Sequence, residues 1–372
     1  MFHTPVNAGY AMSKLEKTFY DVACELSAPE GIMFSFSSYD GETVQSLPDG
    51  FSNVIELSSG KLNDPEYYDS KKNDFNDHAI DVALCFDLQV SGVAVTLLRD
   101  AGVAKIISYW GSTISGLNSG IKLILKRIEV LFSRRKPDLF IFESEAMRKH
   151  AINGRGISVN RPRVIPTGVD TDLLTPRADP NALAGFGISA SRRVAIYSGH
   201  MEERKGVHVL IEAMKILSDR QAKPQWDLII CGNRPGEEVR FVEMLEDSNA
   251  QGAVRFAGYR SDLPQLMRAC AIGLIASTGW DSFPMSALEM AACGLPIIVS
   301  DLQGLSETVE HGVTGYLFEP GDHYALASLM DELGRNGERR AVMSAAARSR
   351  IESSYSVKIQ RENLLAAIGE LL

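Results

Sequence analysis

The stretch GWDSFPMSALEMAACGLP at residues 279–296 decides the fold. It follows a strand pattern at Ile272–Ile275 and contains a helical pattern at Pro284–Ala292. Because Ser282 is a favoured N-cap residue and proline is tolerated in a first turn, the helix is predicted to begin there. A strand that turns directly into a helix is typical of a parallel sheet that helices cover.

The start of this predicted helix indicates an anion site. Backbone amides at helix N-termini attract phosphates and other anions. We expect the amides of Ser282, Phe283 and Met285 to be available there, while Asp281 and Glu289 bracket the turn. The pattern suits a ligand that carries hydroxyls beside phosphates. A plain capped helix with an exposed acid is the alternative interpretation.

The same alternation of strand and helix runs through almost the whole chain. Strand patterns occur at Ile32–Phe36, Val54–Leu57, Val82–Phe86, Lys105–Tyr109, Leu139–Phe142, Arg163–Ile165, Val194–Ser198, Trp226–Cys231, Val254–Phe256, Ile272–Ile275, Pro296–Val299 and Gly315–Phe318. Helical patterns occur at Met12–Leu26, Ser91–Ala101, Ile121–Phe132, Glu145–Ile152, Val207–Ser218, Glu237–Ser248, Leu263–Ala269, Pro284–Ala292 and Ala325–Gly334. This alternation predicts parallel sheets with right-handed crossovers, and hence a doubly wound α/β fold. Residues 60–78 are polar and aperiodic, which predicts a surface loop.

The length of 372 residues favours two domains. Proline and glycine residues interrupt the pattern between residues 166 and 180, which indicates a hinge. We therefore predict one domain over residues 1–168, a second over residues 169–355, and a C-terminal helix over residues 356–372 that packs back on the first domain. Doubly wound sheets bind ligands at the carboxyl ends of their strands.

Charge excludes one class of partner and suggests another. The net charge of −9 argues against a nucleic acid, because phosphate backbones are bound by clustered Lys and Arg. Residues 105–163 nevertheless hold twelve Lys or Arg against four Asp or Glu. They predict either solvated basic helix faces or a surface for an anionic acceptor or a membrane headgroup layer. The cysteines show no paired spacing and no leader pattern is present, which predicts a cytoplasmic location, with the basic segment allowing a peripheral position on the inner face of the membrane.

A second motif, YSGHMEERKGV at residues 197–207, joins a strand pattern to a helical one. Gly199 and Gly206 free the backbone at its two ends. His200 and Lys205 are cationic donors that would neutralise a pyrophosphate leaving group as negative charge builds on it. A solvated charged loop is the alternative interpretation.

Two shorter motifs complete the set. The loop PVNAGYAMS at residues 5–13 would place the amides of Gly9 and Tyr10 near a diphosphate, with a simple turn as the alternative. Asp170 and Asp172 form a cation-binding Asp-x-Asp pattern, but they lie at the predicted hinge. Since no cluster of His, Cys and carboxylates elsewhere has metal-ligand spacing, no metal site is predicted.

Several blocks occur in a characteristic order in the second half of the chain. They are IPTGVDTDLL (165–174), SGHMEERKGVHVLIEA (198–213), VRFAGYRSDLPQLMRAC (254–270), DSFPMSALEMAACGLP (281–296) and SDLQGLSETVEHGVTGYLFEPGD (300–322). Looser matches in the first half are DVALCFDL (81–88), ISYWGS (107–112) and DLFIFESEAMRKH (138–150). In this order the blocks resemble the retaining family-4 glycosyltransferases of the GT-B fold. The resemblance implies two Rossmann-like domains that face each other across a cleft, an acceptor domain followed by a donor domain.

The resemblance also implies an activity. It implies transfer of a hexose-like sugar from a nucleoside-diphosphate sugar to an acceptor hydroxyl, with retention of anomeric configuration, in glycan, polysaccharide or glycolipid synthesis. No cofactor and no metal are implied, and a UDP-sugar is the favoured co-substrate. The acceptor would be a glycan, a lipid-linked molecule or a small molecule. A sugar-nucleotide epimerase of the same fold and a non-catalytic sugar-nucleotide binding protein stay open as alternatives.

Roles for individual residues follow from the same resemblance. Lys205 and His200 would clamp the phosphates, Asp281 would bind the transferred sugar, and Glu289 would bind the ribose hydroxyls. The remaining donor-binding residues implied are Gly9, Gly199, Ser282, Phe283, Met285, Arg260, Glu307 and Thr308. On the sugar and acceptor side they are Trp110, Glu143 and Tyr10. Because the family commonly has His at the position of Trp110 and Arg at the position of His200, sugar recognition is expected to differ here.

Overall fold

The structure is a computed structural model of the chain, and it describes residues 1–112, 118–133, 135–157, 162–177, 181–189, 191–220 and 225–372. The chain divides into two compact units. Unit 1 comprises residues 1–167 and 358–372, and unit 2 comprises residues 168–357. Each unit is built on parallel strands that alternate with helices, which confirms the predicted α/β fold class.

The strands and helices follow the sequence patterns closely. The described strands are β1 (Phe34–Phe36), β2 (Val54–Glu56), β3 (Val82–Phe86), β4 (Lys105–Trp110), β5 (Leu139–Phe142), β6 (Arg163–Val164), β7 (Arg193–Ser198), β8 (Trp226–Cys231), β9 (Val254–Gly258), β10 (Ile272–Ile275), β11 (Ile297–Ser300) and β12 (Gly315–Phe318). The described α-helices are α1 (Tyr10–Leu26), α2 (Pro65–Asp77), α3 (Val93–Asp100), α4 (Gly120–Phe132), α5 (Glu145–Arg155), α6 (Val207–Arg220), α7 (Val239–Leu245), α8 (Leu263–Ala269), α9 (Met285–Ala292), α10 (Gln303–Ser306), α11 (His323–Arg335), α12 (Gly337–Ser354) and α13 (Val357–Gly369). Each strand and helix predicted above overlaps one of these elements.

The prediction of a surface loop at residues 60–78 is wrong, because α2 occupies most of that segment. The Asp64 carboxylate caps the helix by accepting the amides of Glu66 at 2.9 Å and Tyr67 at 3.0 Å. Phe75 is the buried residue of α2. A helix with so little buried surface lacks the apolar period by which helices are recognised in a sequence.

Unit 2 contains a parallel sheet with the strand order β12-β11-β10-β7-β8-β9. The chain enters at the centre with β7, moves outward to β9, returns to the centre with β10 and moves outward in the other direction. All residues of β8, β10 and β11 are buried, as expected for strands with helices on both faces. The strand order reverses between β7 and β10, and the carboxyl ends of those two strands are where such sheets bind ligands.

Two apolar clusters hold helices against the faces of this sheet. On one face, α6 and α11 contribute Leu210 and Met330 to a cluster with the β8 residue Leu228. On the other face, α9 and α12 contribute Leu288 and Ile351. Since the helices cover both faces, the edges and strand ends remain for ligand contacts.

Unit 1 contains the parallel strand orders β3-β4-β5-β6 and β1-β2. Residues 1–4 connect them, because the Met1 nitrogen donates to the Leu84 carbonyl and the Phe2 amide to the Ser35 carbonyl, both at 2.8 Å. If residues 1–4 are counted as a strand, the strand order of unit 1 reverses between that strand and β3. The loops after residue 4, β3, β4 and β5 therefore lie along one carboxyl edge.

The last helix, α13, contributes to the core of unit 1. Leu364 and Ile368 are buried in the same apolar cluster as Phe19 and Tyr109. The amide nitrogen of Gln360 also donates to the Tyr109 hydroxyl at 3.2 Å. Unit 1 is thus completed by residues that follow unit 2 in the chain.

Candidate active site

A tight turn holds Lys205 at the carboxyl end of β7. Residues Glu203–Lys205 form one 3-10 turn, and Gly206 then adopts a φ of +70° before α6 begins. A Cβ atom at Gly206 would lie 1.7 Å from the carbonyl oxygen of Ala276, which directly follows β10. Only glycine allows this approach. The close approach brings the turn after β7 into contact with the loop after β10.

The two loops meet in an ion pair between Lys205 and Asp281. The Lys205 Nζ atom lies 3.1 Å from Oδ1 and 3.0 Å from Oδ2 of Asp281, and the Ser277 hydroxyl donates to Oδ2 at 2.7 Å. The Lys205 side chain is 15% exposed and that of Asp281 is 6% exposed. The structure therefore places opposite charges at the point where the strand order of unit 2 reverses.

Backbone hydrogen bonds fix the two loops around this ion pair. The Arg204 carbonyl accepts the amides of Thr278 at 2.7 Å and Gly279 at 3.2 Å. In return, the Arg204 guanidinium donates to the Trp280 carbonyl at 2.9 Å. These hydrogen bonds fix the backbone next to Lys205 and the backbone just before Asp281. The two charged groups are therefore preorganised.

The helix start beyond Asp281 differs from the prediction. α9 begins at Met285 with Pro284 as its N-cap residue, whose φ of −69° and ψ of 123° are extended. Ser282 is therefore not the N-cap, because the helix begins three residues after it. The Phe283 ring is buried and lies 5.4 Å from the Tyr355 ring, so its side chain anchors the loop. Glu289 is buried in α9.

Gly199 and His200 lie before the tight turn. The Gly199 amide donates to the Cys231 carbonyl at 3.1 Å, so this amide is already used within the sheet edge. The His200 carbonyl accepts the Tyr197 hydroxyl at 2.7 Å, while the His200 side chain is exposed. The backbone of this segment is thus fixed, and its histidine extends into solvent.

The other residues predicted in unit 2 sit at neighbouring strand ends. Arg260, after β9, forms a bidentate pair with Asp262 at 2.8 and 2.6 Å. Glu307 follows α10, and the buried Thr308 hydroxyl donates to the Leu305 carbonyl at 2.7 Å. They follow β9 and β11 at the carboxyl edge that also carries Lys205 and Asp281.

In unit 1, Glu143 lies in a buried polar cluster directly after β5. The Thr167 hydroxyl donates to Glu143 Oε1 at 2.6 Å and lies 3.3 Å from the Tyr109 hydroxyl. Burial raises the pKa of Glu143 to about 8; the Thr167 hydrogen bond opposes this shift and the nearby Asp87 charge adds to it. A Cβ atom at Gly111 would lie 2.7 Å from Glu143 Oε1, so a larger residue there would displace the Glu143 carboxylate.

Asp87 is a member of this cluster that was not predicted from the sequence. Its Oδ1 atom accepts the amides of Gly111 at 2.9 Å and Ser112 at 3.2 Å, and burial raises its pKa. A polar residue directly after the apolar strand β3 was the available signal. Thr167 was missed for a different reason, because its contact with Glu143 joins two segments that are distant in sequence.

Of the other residues predicted in unit 1, Trp110 adjoins Glu143 through the backbone, because the Glu143 amide donates to the Trp110 carbonyl at 3.2 Å. Trp110 is buried, and its indole nitrogen donates to the Leu88 carbonyl at 3.1 Å and the Ser108 hydroxyl at 2.6 Å. Its side chain is therefore packed in the interior of unit 1, and its assignment to the sugar and acceptor side stays a prediction. Gly9 is the exposed N-cap residue of α1, with a φ of +133°, and the exposed Tyr10 ring lies beneath Lys14.

The Asp-x-Asp pattern stabilises a turn. The Asp170 carboxylate accepts the amides of Asp172 at 3.0 Å and Leu173 at 2.9 Å. In the part of the chain that the structure describes, no three His, Cys, Asp or Glu side chains are grouped as metal ligands. Nor does any helix in those ranges have the length and apolar character needed to cross a bilayer.

Comparison with known proteins identifies a family that matches part of unit 2, and several relatives. Residues 180–350 match the family of glycosyl transferases group 1. D-inositol 3-phosphate glycosyltransferase of Corynebacterium jeikeium is 30% identical over 221 residues, which are 57% of this chain and 52% of that protein. The lipopolysaccharide core biosynthesis mannosyltransferase LpsB of Rhizobium meliloti is 25% identical over 216 residues, 56% of this chain and 60% of that protein. The match thus spans between half and three fifths of the length of these relatives.

Solved structures match over the whole chain. A glycosyltransferase from Rickettsia africae has a TM-score of 0.82 at 18% identity, covering 99% of this chain and 97% of that one. Anabaena Alr3699/HepE in complex with UDP has a TM-score of 0.76 at 20% identity, covering 99% of each chain. These likenesses show the fold. Together with the family match they confirm the resemblance to glycosyltransferases, while the narrower assignment to retaining family-4 enzymes stays a prediction.

Proposed function

We propose that this chain is a glycosyltransferase of the group 1 family that transfers a sugar from a nucleoside-diphosphate sugar to an acceptor hydroxyl. The observation that carries the proposal is the Lys205–Asp281 ion pair at the strand reversal of unit 2. A cation and a carboxylate at that edge match the two parts of such a donor, a diphosphate and a sugar rich in hydroxyls. The match of residues 180–350 to glycosyl transferases supports the same activity.

In this proposal Lys205 stabilises the leaving group. Negative charge builds on the diphosphate as its bond to the sugar breaks, and a preorganised cation lowers the energy of that state. Asp281 holds the Lys205 ammonium in position and offers its carboxylate to sugar hydroxyls. The amides at the start of α9 add a positive partial charge at the same edge. Glu289, which is buried in that helix, is proposed as the ribose ligand, with His200 as a second phosphate contact.

The stereochemical course is proposed to be retention. A phosphate oxygen of the leaving group takes the proton of the acceptor hydroxyl on the face from which the diphosphate departs, so the chain needs no nucleophile of its own. Nuclear magnetic resonance of the first product tests this step. An α-linked product from an α-linked donor is expected, and a β-linked product would overturn the retaining assignment.

A UDP-sugar is the proposed donor, since the similarly folded HepE was solved with UDP and with UDP-glucose. Calorimetric titration with UDP, GDP and ADP compares the three bases directly. We expect UDP to bind most tightly. Tighter binding of GDP or ADP would reassign the base without removing the transferase activity.

Unit 1 is proposed to bind the acceptor, which would be a glycan, a lipid-linked molecule or a small molecule, in the cytoplasm. The deciding experiment incubates the protein with each donor and a panel of such acceptors and measures released nucleoside diphosphate. Acceptor-dependent release is expected. Donor binding without release across the panel would favour a non-catalytic binding protein, and interconversion of the donor sugar without transfer would favour an epimerase.

A further inference from the structure

The helix α4 presents large apolar side chains to solvent. Their spacing along Gly120–Phe132 follows the α-helical period, so they form one stripe, called here the α4 stripe. Between 49% and 77% of each side chain is exposed. The residues of the stripe are Ile121, Ile124, Leu125, Ile128, Leu131 and Phe132. An amphipathic helix of a globular protein normally turns such a face toward the core, and α4 does the opposite.

The backbone of α4 is held against unit 1 with the stripe outward. Val130, on the opposite side of the helix from the stripe, is buried. A Cβ atom at Gly156, which ends α5, would lie 2.9 Å from the backbone nitrogen of Arg127, so the two helices approach closely there. The Asn118 amide, just before α4, donates to the Gly154 carbonyl at 2.8 Å. The outward stripe is therefore a consequence of how the helix is attached.

Basic residues accompany the stripe. Lys122 and Arg127 are exposed on α4, and Lys126 pairs with Glu129 at 2.7 Å. The Lys136 ammonium donates to the Val130 carbonyl at 2.6 Å and caps the end of the helix with a positive charge. This positive local charge occurs in a chain whose net charge is −9. An apolar face bordered by cations complements a bilayer with anionic headgroups.

We propose that the α4 stripe is a docking surface for an anionic lipid bilayer. The helix would lie parallel to the membrane, with its stripe at the boundary between headgroups and acyl chains and with Lys122 and Arg127 at the level of the lipid phosphates. The inference goes beyond the proposed transferase activity and does not depend on it. Within the basic segment 105–163, it assigns the predicted membrane contact to the single helix α4. The proposed partner of that helix is an anionic lipid bilayer.

Vesicle sedimentation with the full chain tests the proposal. We expect the protein to pellet with phosphatidylcholine vesicles that contain about one third phosphatidylglycerol, at least about ten-fold more strongly than with phosphatidylcholine alone. The double variant Ile121→Ser/Ile124→Ser should lose about ten-fold or more of this binding. Because both positions are exposed, the variant should fold normally, which circular dichroism checks.

Matched variants separate the stripe from general surface properties. Val239→Ser/Val242→Ser removes two exposed apolar side chains with the same spacing on α7 and should leave binding unchanged. Lys122→Glu/Arg127→Glu should weaken binding to the anionic vesicles, whereas Lys17→Glu/Lys61→Glu, at exposed lysines elsewhere on unit 1, should have little effect. Equal loss in a variant and its control would overturn the proposal.

Sedimentation equilibrium distinguishes lipid from a second copy of the chain. We expect a monomer whose mass is the same for wild type and Ile121→Ser/Ile124→Ser. If the wild type instead forms a dimer that this variant abolishes, and no vesicle binding occurs, the α4 stripe is a self-association surface and the membrane assignment is wrong. Transfer activity toward a soluble acceptor, measured without vesicles, would be unchanged by the variant in either case, so this result is separate from that of the proposed function.

Discussion

Lys205 and Asp281 show how much of the candidate site depends on single residues. The two side chains are largely withdrawn from water and lie 3.0 Å apart at their closest charged atoms. A buried ion pair is often worth little net stability, but loss of one partner leaves the other charge uncompensated. A change at Lys205 is therefore expected to affect both stability and chemistry, and the two effects have to be separated.

Replacement of Lys205 by alanine should lower turnover of the donor by about 10²-fold, because one charge that stabilises the leaving group is lost. The matched control is Lys215→Ala, which removes a lysine of α6 that pairs with Glu212. That control should retain wild-type turnover. A third variant, Lys205→Ala/Asp281→Asn, removes the uncompensated carboxylate and should recover stability without recovering turnover. Wild-type turnover in Lys205→Ala would remove the proposed role.

The raised pKa of Glu143 predicts how the stability of the protein depends on pH. Its pKa is raised from 4.5 to about 8, so the folded chain binds a proton at this site more tightly than the unfolded chain does. Between these values the folded state binds more protons, and the stability that Glu143 contributes falls as the pH rises. In Glu143→Gln the side chain stays neutral, so the variant should gain stability relative to wild type from about pH 5 to about pH 8, by at most about 1.4 kcal/mol per pH unit.

Urea unfolding of both proteins at the two pH values measures this gain. Glu145→Gln is the matched control, because the hydrogen bond from Arg148 lowers the pKa of Glu145 instead of raising it. That control should show no gain at high pH. Identical pH dependence of Glu143→Gln and wild type would mean that Glu143 titrates normally in the folded chain.

Among the elements, the turn between β7 and α6 is tightly constrained. Gly206 combines a positive φ with a 1.7 Å approach of its Cβ direction to the Ala276 carbonyl. This contact ties the β7 turn to the loop after β10, and both Lys205 and Asp281 depend on it. The glycine in this motif was identified from the sequence as a source of backbone freedom, but its partner was not.

Substitution of Gly206 by alanine should therefore destabilise unit 2 by at least about 1 kcal/mol, from the positive φ alone, and by more because the Ala276 carbonyl must move. Turnover should fall as well, since Lys205 shifts with the turn. Gly185→Ala is the control, because nothing lies near its Cβ position. Urea midpoints and turnover of both variants check the expectation, and a neutral Gly206→Ala would mean that the turn tolerates a side chain.

Elements also show where pattern recognition succeeds. Strands such as β10 and β11 are continuous apolar runs because both faces are covered, and runs of this kind are visible in one sequence. α2 was not predicted from the sequence, because its stability comes from the Asp64 cap and a few contacts instead of an apolar face. α4 was predicted as a helix, but the exposure of its apolar face was not. An amphipathic pattern does not say whether the apolar face is buried or exposed.

For the whole molecule, the return of the chain to unit 1 is the main organisational feature. Leu364 of α13 is fully buried among residues from the first part of the chain. The core of unit 1 is therefore not complete until residues after unit 2 have been added. Unit 2, by contrast, is a continuous stretch of sequence.

Leu364→Ala should destabilise unit 1 by about 2 to 5 kcal/mol through the cavity it leaves. Hydrogen exchange followed by mass spectrometry should then show faster exchange in β4 of unit 1. Leu372→Ala, at an exposed leucine near the end of the same segment, should leave the exchange unchanged. Unaltered protection of β4 in Leu364→Ala would show that α13 is not needed for the core.

The amino-acid sequence by itself determined most of the elements, the parallel α/β class and the motifs at the ends of β7 and β10, because apolar periodicity and turn residues act over a few neighbouring positions. Only the tertiary structure decided that Lys205 meets Asp281, that Trp110 turns inward beside Leu88, and that Thr167 meets Glu143. These contacts join residues far apart in the chain, and they depend on strand order and side-chain direction. Neither property has a local signature, so the partners of a charged residue are known only once the strands are placed side by side.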